Sequence, residues 1–260
     1  MTMLRSLIAQ SADRERISKR SAWSIVLAPP ILAAGIFLLF FVNRRSYLWL
    51  LDEWRPIELM QVLFYALAGL LAFRAAFRLW REQRLIAVLY LLAGLGLLFI
   101  SGEEVSWGQP IFRRIFSWWP DRDALRDINV QGETTIHNLR SVRGLFNWLF
   151  FAISLYGVFS PLLFRFGRWR DDARLRLLAF PAITVPAFAL TAVFMIIRLF
   201  VAPSVGLLDS QGFMRYKEIT ELTLAFGLWV FAWLNWRWLS QPATQPAVAP
   251  AGSSAEVMAR

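Results

Sequence analysis

The sequence predicts an all-α, polytopic integral membrane protein with six transmembrane helices and an extracytoplasmic amphipathic helix or loop between the third and fourth. Three observations lead to this fold class. Apolar residues make up 57% of the chain, whereas soluble domains have about 45–50%. They gather in separate runs of roughly 20 residues, the length that a helix needs to cross a bilayer. Arginines and lysines fill the short connections between these runs.

The predicted elements follow from these runs. The spans cover residues 22–42, 56–78, 84–102, 144–166, 177–203 and 218–240. Residues 1–21 are a basic cytoplasmic segment, and the apolar run after them is too long for the core of a signal peptide, so we expect an uncleaved helix. Prolines 181 and 186 predict kinks in the fifth span. Residues 241–260 are rich in Pro, Ala, Ser and Gln, which predicts a disordered cytoplasmic tail after the 22–240 transmembrane domain.

The orientation follows from the basic residues. The N-terminal segment, the second-to-third connection and the fourth-to-fifth connection are rich in arginine, and alternation of the spans puts all three on one side. This predicts a bacterial inner membrane protein with both termini in the cytoplasm. The net charge of +10 is spread over these loops, so we expect membrane lipids, and no nucleic acid, as partners. The chain has no cysteine, which excludes disulfides, thiolate metal sites and cysteine nucleophiles.

The acidic residues are sorted unequally across this topology. Six of the 18 fall on the cytoplasmic side and twelve on the other, although the positive-inside rule concerns basic residues only. Charged side chains at membrane boundaries are energetically costly and often functional. Those at the outer span ends therefore predict a polar site facing the extracytoplasmic side; they are Glu58, Glu103, Glu104, Arg198, Glu218 and Glu221.

The stretch from Gly102 to Asn138 contributes the remaining candidate residues. Glu133 and His137, the only histidine, are four apart, which places both on one face of a helix. Carboxylates with one imidazole suit Mg²⁺, Mn²⁺ or iron. We therefore expect catalytic roles for Glu103, Glu104, Glu133 and His137. The predicted ligands of a divalent metal are Glu103, Glu104, Glu133, His137, Glu218 and Glu221.

Further groups are predicted to bind substrate. Amides and an indole N–H recognise hydroxylated or phosphorylated groups, and we expect this role for Glu58, Trp107, Gln109, Asn129, Gln131, Asn138 and Arg198. Between residues 110 and 120, apolar residues follow helical spacing and two arginines occupy the other face. This pattern predicts an interfacial helix that either guides a lipid headgroup or covers the site.

The leading functional hypothesis is an integral-membrane hydrolase or transferase that acts on a lipid or lipid-linked substrate. Its active site would be the extracytoplasmic carboxylate/His site, with or without a metal. Two alternatives remain open. A transporter or flippase would use the same carboxylates to couple cations or protons, and an assembly subunit would have no chemistry.

Structural roles compete with this hypothesis at each cluster. Glu133 and His137 could form a hydrogen-bonded loop pair, and Arg198 could clamp Glu103 and Glu104. The pair at positions 218 and 221 could favour the first turn of a helix dipole or bind Lys217 and Arg215.

Overall fold

The computed structural model describes residues 2–52, 54–109, 115, 135, 139, 142–163, 176–206 and 211–241. The helices in these ranges are α1 (Thr2–Arg14), α2 (Lys19–Val42), α3 (Arg44–Leu50), α4 (Pro56–Leu79), α5 (Arg84–Glu104), α6 (Arg143–Leu163), α7 (Val185–Ile196), α8 (Ala202–Val205) and α9 (Gln211–Ser240). Short 3₁₀ turns cover Ser106–Gly108 and Ala182–Thr184, and a π turn at Ile197–Val201 joins α7 to α8.

Within the described part of the chain, six helical segments are long and apolar enough to cross a membrane. They are Lys19–Val42, Pro56–Leu79, Arg84–Glu104, Gly144–Leu162, Ala182–Val205 and Arg215–Ser240. The predicted six-span all-α fold is thereby confirmed. We call the end of the bundle at which α4 begins and α5 ends the acidic end, and the other the opposite end.

Helix α4 lies between α5 and α9, while α7 packs against α6, α9 and α2. The α4–α5 contact is close because Gly69 and Gly94 face one another. A Cβ atom built on either glycine would lie 3.1 Å from the carbonyl oxygen of the other. Small residues let membrane helices approach in this way. Large apolar side chains such as Phe77 and Leu85 are instead exposed on the outside, where lipid would surround them.

Some element boundaries differ from the predicted ones. The fifth span begins at Ala182, because Pro181 and Pro186 start its helical turns and do not kink its interior. Helix α9 begins at Gln211, seven residues before the predicted start. Glu218 and Glu221 therefore lie about two and three turns inside this helix, and a first-turn position on the helix dipole does not explain them.

Two short helices close the ends of the bundle. At the opposite end, α1 buries Ile8 and Ala12 in a core that includes Leu234 of α9. At the acidic end, the hydroxyl of Tyr47 on α3 donates to the carbonyl of Gly212 at 2.9 Å. Burial and the neighbouring Tyr216 raise the pKa of Tyr47 to about 12.

Candidate functional site

One face of α4 carries three polar side chains into the acidic end of the bundle. Glu58, Gln61 and Tyr65 are spaced i, i+3 and i+7, which places them along one side of the helix. Gln61 and Tyr65 are fully buried. The Gln61 Nε2 donates to the main-chain oxygen of Glu218 at 2.6 Å, which connects α4 to α9 at the level of the acidic residues.

Two buried side-chain oxygens on this face of α4 form no hydrogen bond with the described residues. Gln61 Oε1 and the Tyr65 hydroxyl have no hydrogen-bond partner among the described residues. A buried polar group without a partner costs about 1–3 kcal/mol, and native proteins contain few of them. Both atoms are therefore able to bind a further polar group.

Four carboxylates at this end of the bundle interact electrostatically, and we call Glu58, Glu104, Glu218 and Glu221 the carboxylate cluster. Coulombic interactions connect Glu104 of α5 with the other three and with Lys217. The Lys217 Nζ lies 2.7 Å from Glu221 Oε1, one turn along α9. Like charges gathered in a buried setting destabilise the folded state unless a proton or a positive group compensates them. The cluster is thus suited to hold or transfer a proton.

The adjacent residues Glu103 and Glu104 have different neighbours. Successive residues of a helix point about 100° apart. Glu104 joins the carboxylate cluster, whereas Glu103 is buried and accepts a hydrogen bond from Trp107 Nε1 at 2.5 Å. The indole lies against Gly102, where a Cβ atom would come within 2.6 Å of its ring. A glycine at position 102 is therefore required for Trp107 to fold back over the end of α5.

Strained backbone lies on both sides of this cluster. Ser106, Trp107 and Gly108 follow α5 with φ angles of 48°, 51° and 76°. Trp54, with φ 60°, donates its N–H to Glu58 Oε2 just before α4 begins. Left-handed conformations at non-glycine residues cost of order 1 kcal/mol or more each and concentrate at functional sites.

Basic groups border the carboxylate cluster. Arg198 is buried in the π turn, a type of turn that is frequent at functional sites, and interacts electrostatically with Lys217. Arg215 lies further out, where its Nη2 is 3.3 Å from Asp52 Oδ1. Lys217 thus pairs with Glu221, as the structural alternative expected. Arg215 forms its ion pair with Asp52, which that alternative did not name.

The predicted metal ligands are only partly described. Within the described ranges, no group of three or more acidic or histidine side chains is arranged to hold a metal ion. The other predicted site residues and the predicted amphipathic helix lie outside the described residues and stay predictions; they are Asn129, Gln131, Glu133, His137, Asn138 and, except for the exposed Ile115, the segment 110–120. Gln109, which directly precedes that segment, is buried.

Two apolar cavities adjoin the bundle. One of 430 Å³ lies between α5, α6 and α9 and is lined in part by Tyr65. The other, of 610 Å³, lies between α2, α7 and α9 and is lined in part by Tyr47 and Tyr216. The tyrosine hydroxyls at the second cavity donate to main-chain oxygens. Only the first of these two cavities therefore borders a hydroxyl that has no partner among the described residues.

Sequence reasoning overlooked Gln61 and Tyr65, although a signal was present. Their spacing from Glu58 places them on the same helical face, in a stretch (residues 59–73) that is otherwise apolar. The burial that makes them candidates, however, depends on how α5 and α9 pack against α4.

Comparison with known proteins finds no matching family model, no matching curated protein and no matching solved structure.

Proposed function

We propose that this protein is an integral-membrane hydrolase or transferase that acts on a lipid or lipid-linked substrate at the extracytoplasmic face of a bacterial inner membrane. The observation that carries the proposal is the carboxylate cluster beside the apolar cavity lined by Tyr65. Acid–base groups next to an apolar binding space suit a substrate with a polar reacting group and an apolar chain.

The residues of the cluster have distinct roles in this proposal. Glu104, surrounded by other carboxylates, accepts a proton from the attacking water or hydroxyl group. Arg198 and Lys217 stabilise negative charge on the reacting group. Gln61 and Tyr65 contact the substrate through the two oxygens that have no other partner among the described residues.

The distribution of ionisable residues favours chemistry at one end over transport. On α9, residues 224–234 contain none, and on α4 the only one between Glu58 and Arg74 is Tyr65. A cation or proton relay across the membrane normally uses ionisable side chains at mid-depth. This supports the enzyme over the transporter or flippase of the alternative hypothesis.

The metal-assisted form of the proposal depends on residues outside the described ranges. Glu133 and His137 would have to join Glu103 or the carboxylate cluster to hold Mg²⁺, Mn²⁺ or iron, which would polarise the substrate or activate water. Metal analysis of the purified protein tests this form. Stoichiometric metal should be lost in the double variant Glu103→Ala, His137→Ala, and a protein without metal rules the form out.

The decisive experiment is a lipid profile of a strain that lacks the protein. A precursor lipid should accumulate, and the wild-type protein should remove it. Glu104→Gln should fail to do so, whereas Glu82→Gln, an exposed carboxylate at the opposite end, should succeed. If the lipid profile of the deletion strain is unchanged, in a measurement sensitive enough to detect minor lipids, the proposed activity is contradicted.

The proposed orientation has its own test. A reporter fused after Asp127 should be active only on the extracytoplasmic side, because the connection between α5 and α6 would lie there. Activity of the reporter in the cytoplasm would invert the topology and place the carboxylate cluster on the other face.

A further inference from the structure

The 430 Å³ cavity opens sideways from the bundle. Its lining includes Leu89 of α5 and both Leu149 and Tyr156 of α6. These three side chains are 42%, 44% and 42% exposed, so they form a rim through which the cavity meets the surroundings of the helices. In a membrane those surroundings are lipid chains, because the cavity lies along the middle of the spans.

The length of the cavity matches one leaflet of a bilayer. Its α5 wall runs from Leu89 to Ile100, which is about 16 Å at 1.5 Å per residue. The hydrocarbon core of a bilayer is about 30 Å thick, so one leaflet is about half of that. The cavity thus has the orientation and length of a single extended lipid chain. Ile100, at the end of the cavity nearer the acidic end of the bundle, lies about one helical turn before Glu104.

Tyr65 provides a polar group at the cavity wall. Tyr65 lines the cavity and is fully buried, and its hydroxyl has no hydrogen-bond partner among the described residues. Coulombic interactions connect Tyr65 with Glu104, Glu221 and Glu218. The tyrosine therefore lies where the apolar cavity meets the carboxylate cluster. By contrast, Tyr90 lines the same cavity but donates to the Leu177 carbonyl at 2.6 Å.

We propose that this cavity binds one acyl chain of a bilayer lipid, which enters between α5 and α6 and places a polar atom of the lipid against the Tyr65 hydroxyl. This inference rests on the proposed function for the role of the carboxylate cluster. It adds that the substrate is a membrane-resident lipid taken from within the bilayer. The apolar lining excludes a charged or strongly hydrated occupant, and the lateral opening gives access to acyl chains.

Photo-crosslinking of the full-length protein tests the chain. The protein is reconstituted in vesicles of phosphatidylethanolamine and phosphatidylglycerol that contain a phosphatidylethanolamine with a diazirine in its acyl chain. Cross-links should concentrate on the cavity wall, for example at Leu97 and Phe150. Cross-links spread evenly over all the outward faces of the spans would overturn the proposal.

Two glycines provide a matched pair of variants. A Cβ atom at Gly96, which lines the cavity, or at Gly35 on α2 would meet nothing within 4 Å. Gly96→Leu should fill the cavity and lose the cross-links to its wall, whereas Gly35→Leu should keep them. Ala93→Leu, also in the lining, repeats the test if Gly96→Leu does not fold. Equal cross-linking in the cavity and control variants would overturn the proposal.

The hydroxyl contact is tested by removing single oxygen atoms. Tyr65→Phe should weaken displacement of the labelled lipid by unlabelled phosphatidylethanolamine about three- to tenfold, the effect of one lost hydrogen bond. Tyr47→Phe, which removes a hydroxyl that donates to the Gly212 carbonyl outside this cavity, should lower thermal stability and leave displacement unchanged. Equal displacement by wild type and Tyr65→Phe would overturn the assignment of Tyr65.

These results separate the inference from the proposed function. Cavity cross-links together with an unchanged lipid profile would support chain binding and remove only the enzymatic role. An altered lipid profile without cavity cross-links would overturn chain binding and leave the enzyme in place.

Discussion

The two ends of the bundle use polar residues in different ways. At the opposite end, Glu15 lies 3.1 Å from Arg176, and Asn235 donates to the Tyr90 hydroxyl at 2.7 Å. These pairs join separate segments of the chain. At the acidic end, like charges converge and Gln61 Oε1 keeps no partner among the described residues. The first arrangement stabilises the fold. The second opposes folding wherever Lys217 does not compensate the charge, a pattern that is common where stability is exchanged for function.

The largest expected effect concerns Glu104. Replacement by Gln removes one of four neighbouring carboxylates, so we expect thermal stability in detergent to stay equal or rise. The proposed lipid-modifying activity should fall about 100-fold or more, the usual contribution of a general base. Thermal unfolding and the lipid profile measure the two effects. A variant that loses stability together with activity would mean that Glu104 serves the fold.

The reverse result is expected at the opposite end. Glu15→Ala leaves the mostly buried Arg176 without its carboxylate partner, which should lower the free energy of unfolding by about 2 kcal/mol. Activity per folded molecule should not change. Asp13→Ala, in an exposed position of the last turn of α1, is the control and should have little effect. Loss of activity at full stability would contradict the division between the two ends.

A smaller effect is expected where α5 meets the strained turn. Gly102→Ala would place a Cβ atom 2.6 Å from the Trp107 ring, so the indole must move away from Glu103. We expect a loss of about 1–3 kcal/mol from this overpacking, measured by denaturant unfolding. Gly35→Ala has open space and should instead stabilise by up to about 1 kcal/mol through helix propensity. Similar stabilisation by both substitutions would disprove the Trp107 packing.

The smallest effect is expected at the exposed ion pair of the acidic end. Asp52 and Arg215 are 52% and 39% exposed in their side chains. Asp52→Ala should therefore change stability by less than about 1 kcal/mol, and added salt should reduce even that difference. Unfolding at low and high ionic strength measures it. A large, salt-independent loss would show that this pair belongs with the buried ones.

Much of the site could be predicted from the sequence, and the part that could not depends on how the helices pack. The boundary positions of Glu58 and Glu104 follow from hydropathy alone, whereas the start of α9 at Gln211 places Glu221 about three turns inside its helix. The different neighbours of Glu103 and Glu104 follow from helix geometry, but only once α5 is known to extend through both. The roles of Gln61 and Tyr65 could not be predicted, because their burial depends on α5 and α9 packing against α4.

The sequence by itself determined the six spans and the concentration of acidic residues at one end. Each apolar run meets the length requirement of the bilayer on its own, whatever its neighbours are. Only the tertiary structure decided which side chains meet. Contacts between helices depend on how closely they approach, as Gly69 and Gly94 allow for α4 and α5. That packing brings Tyr65 between the carboxylate cluster and the lateral cavity, a position that no local pattern specifies.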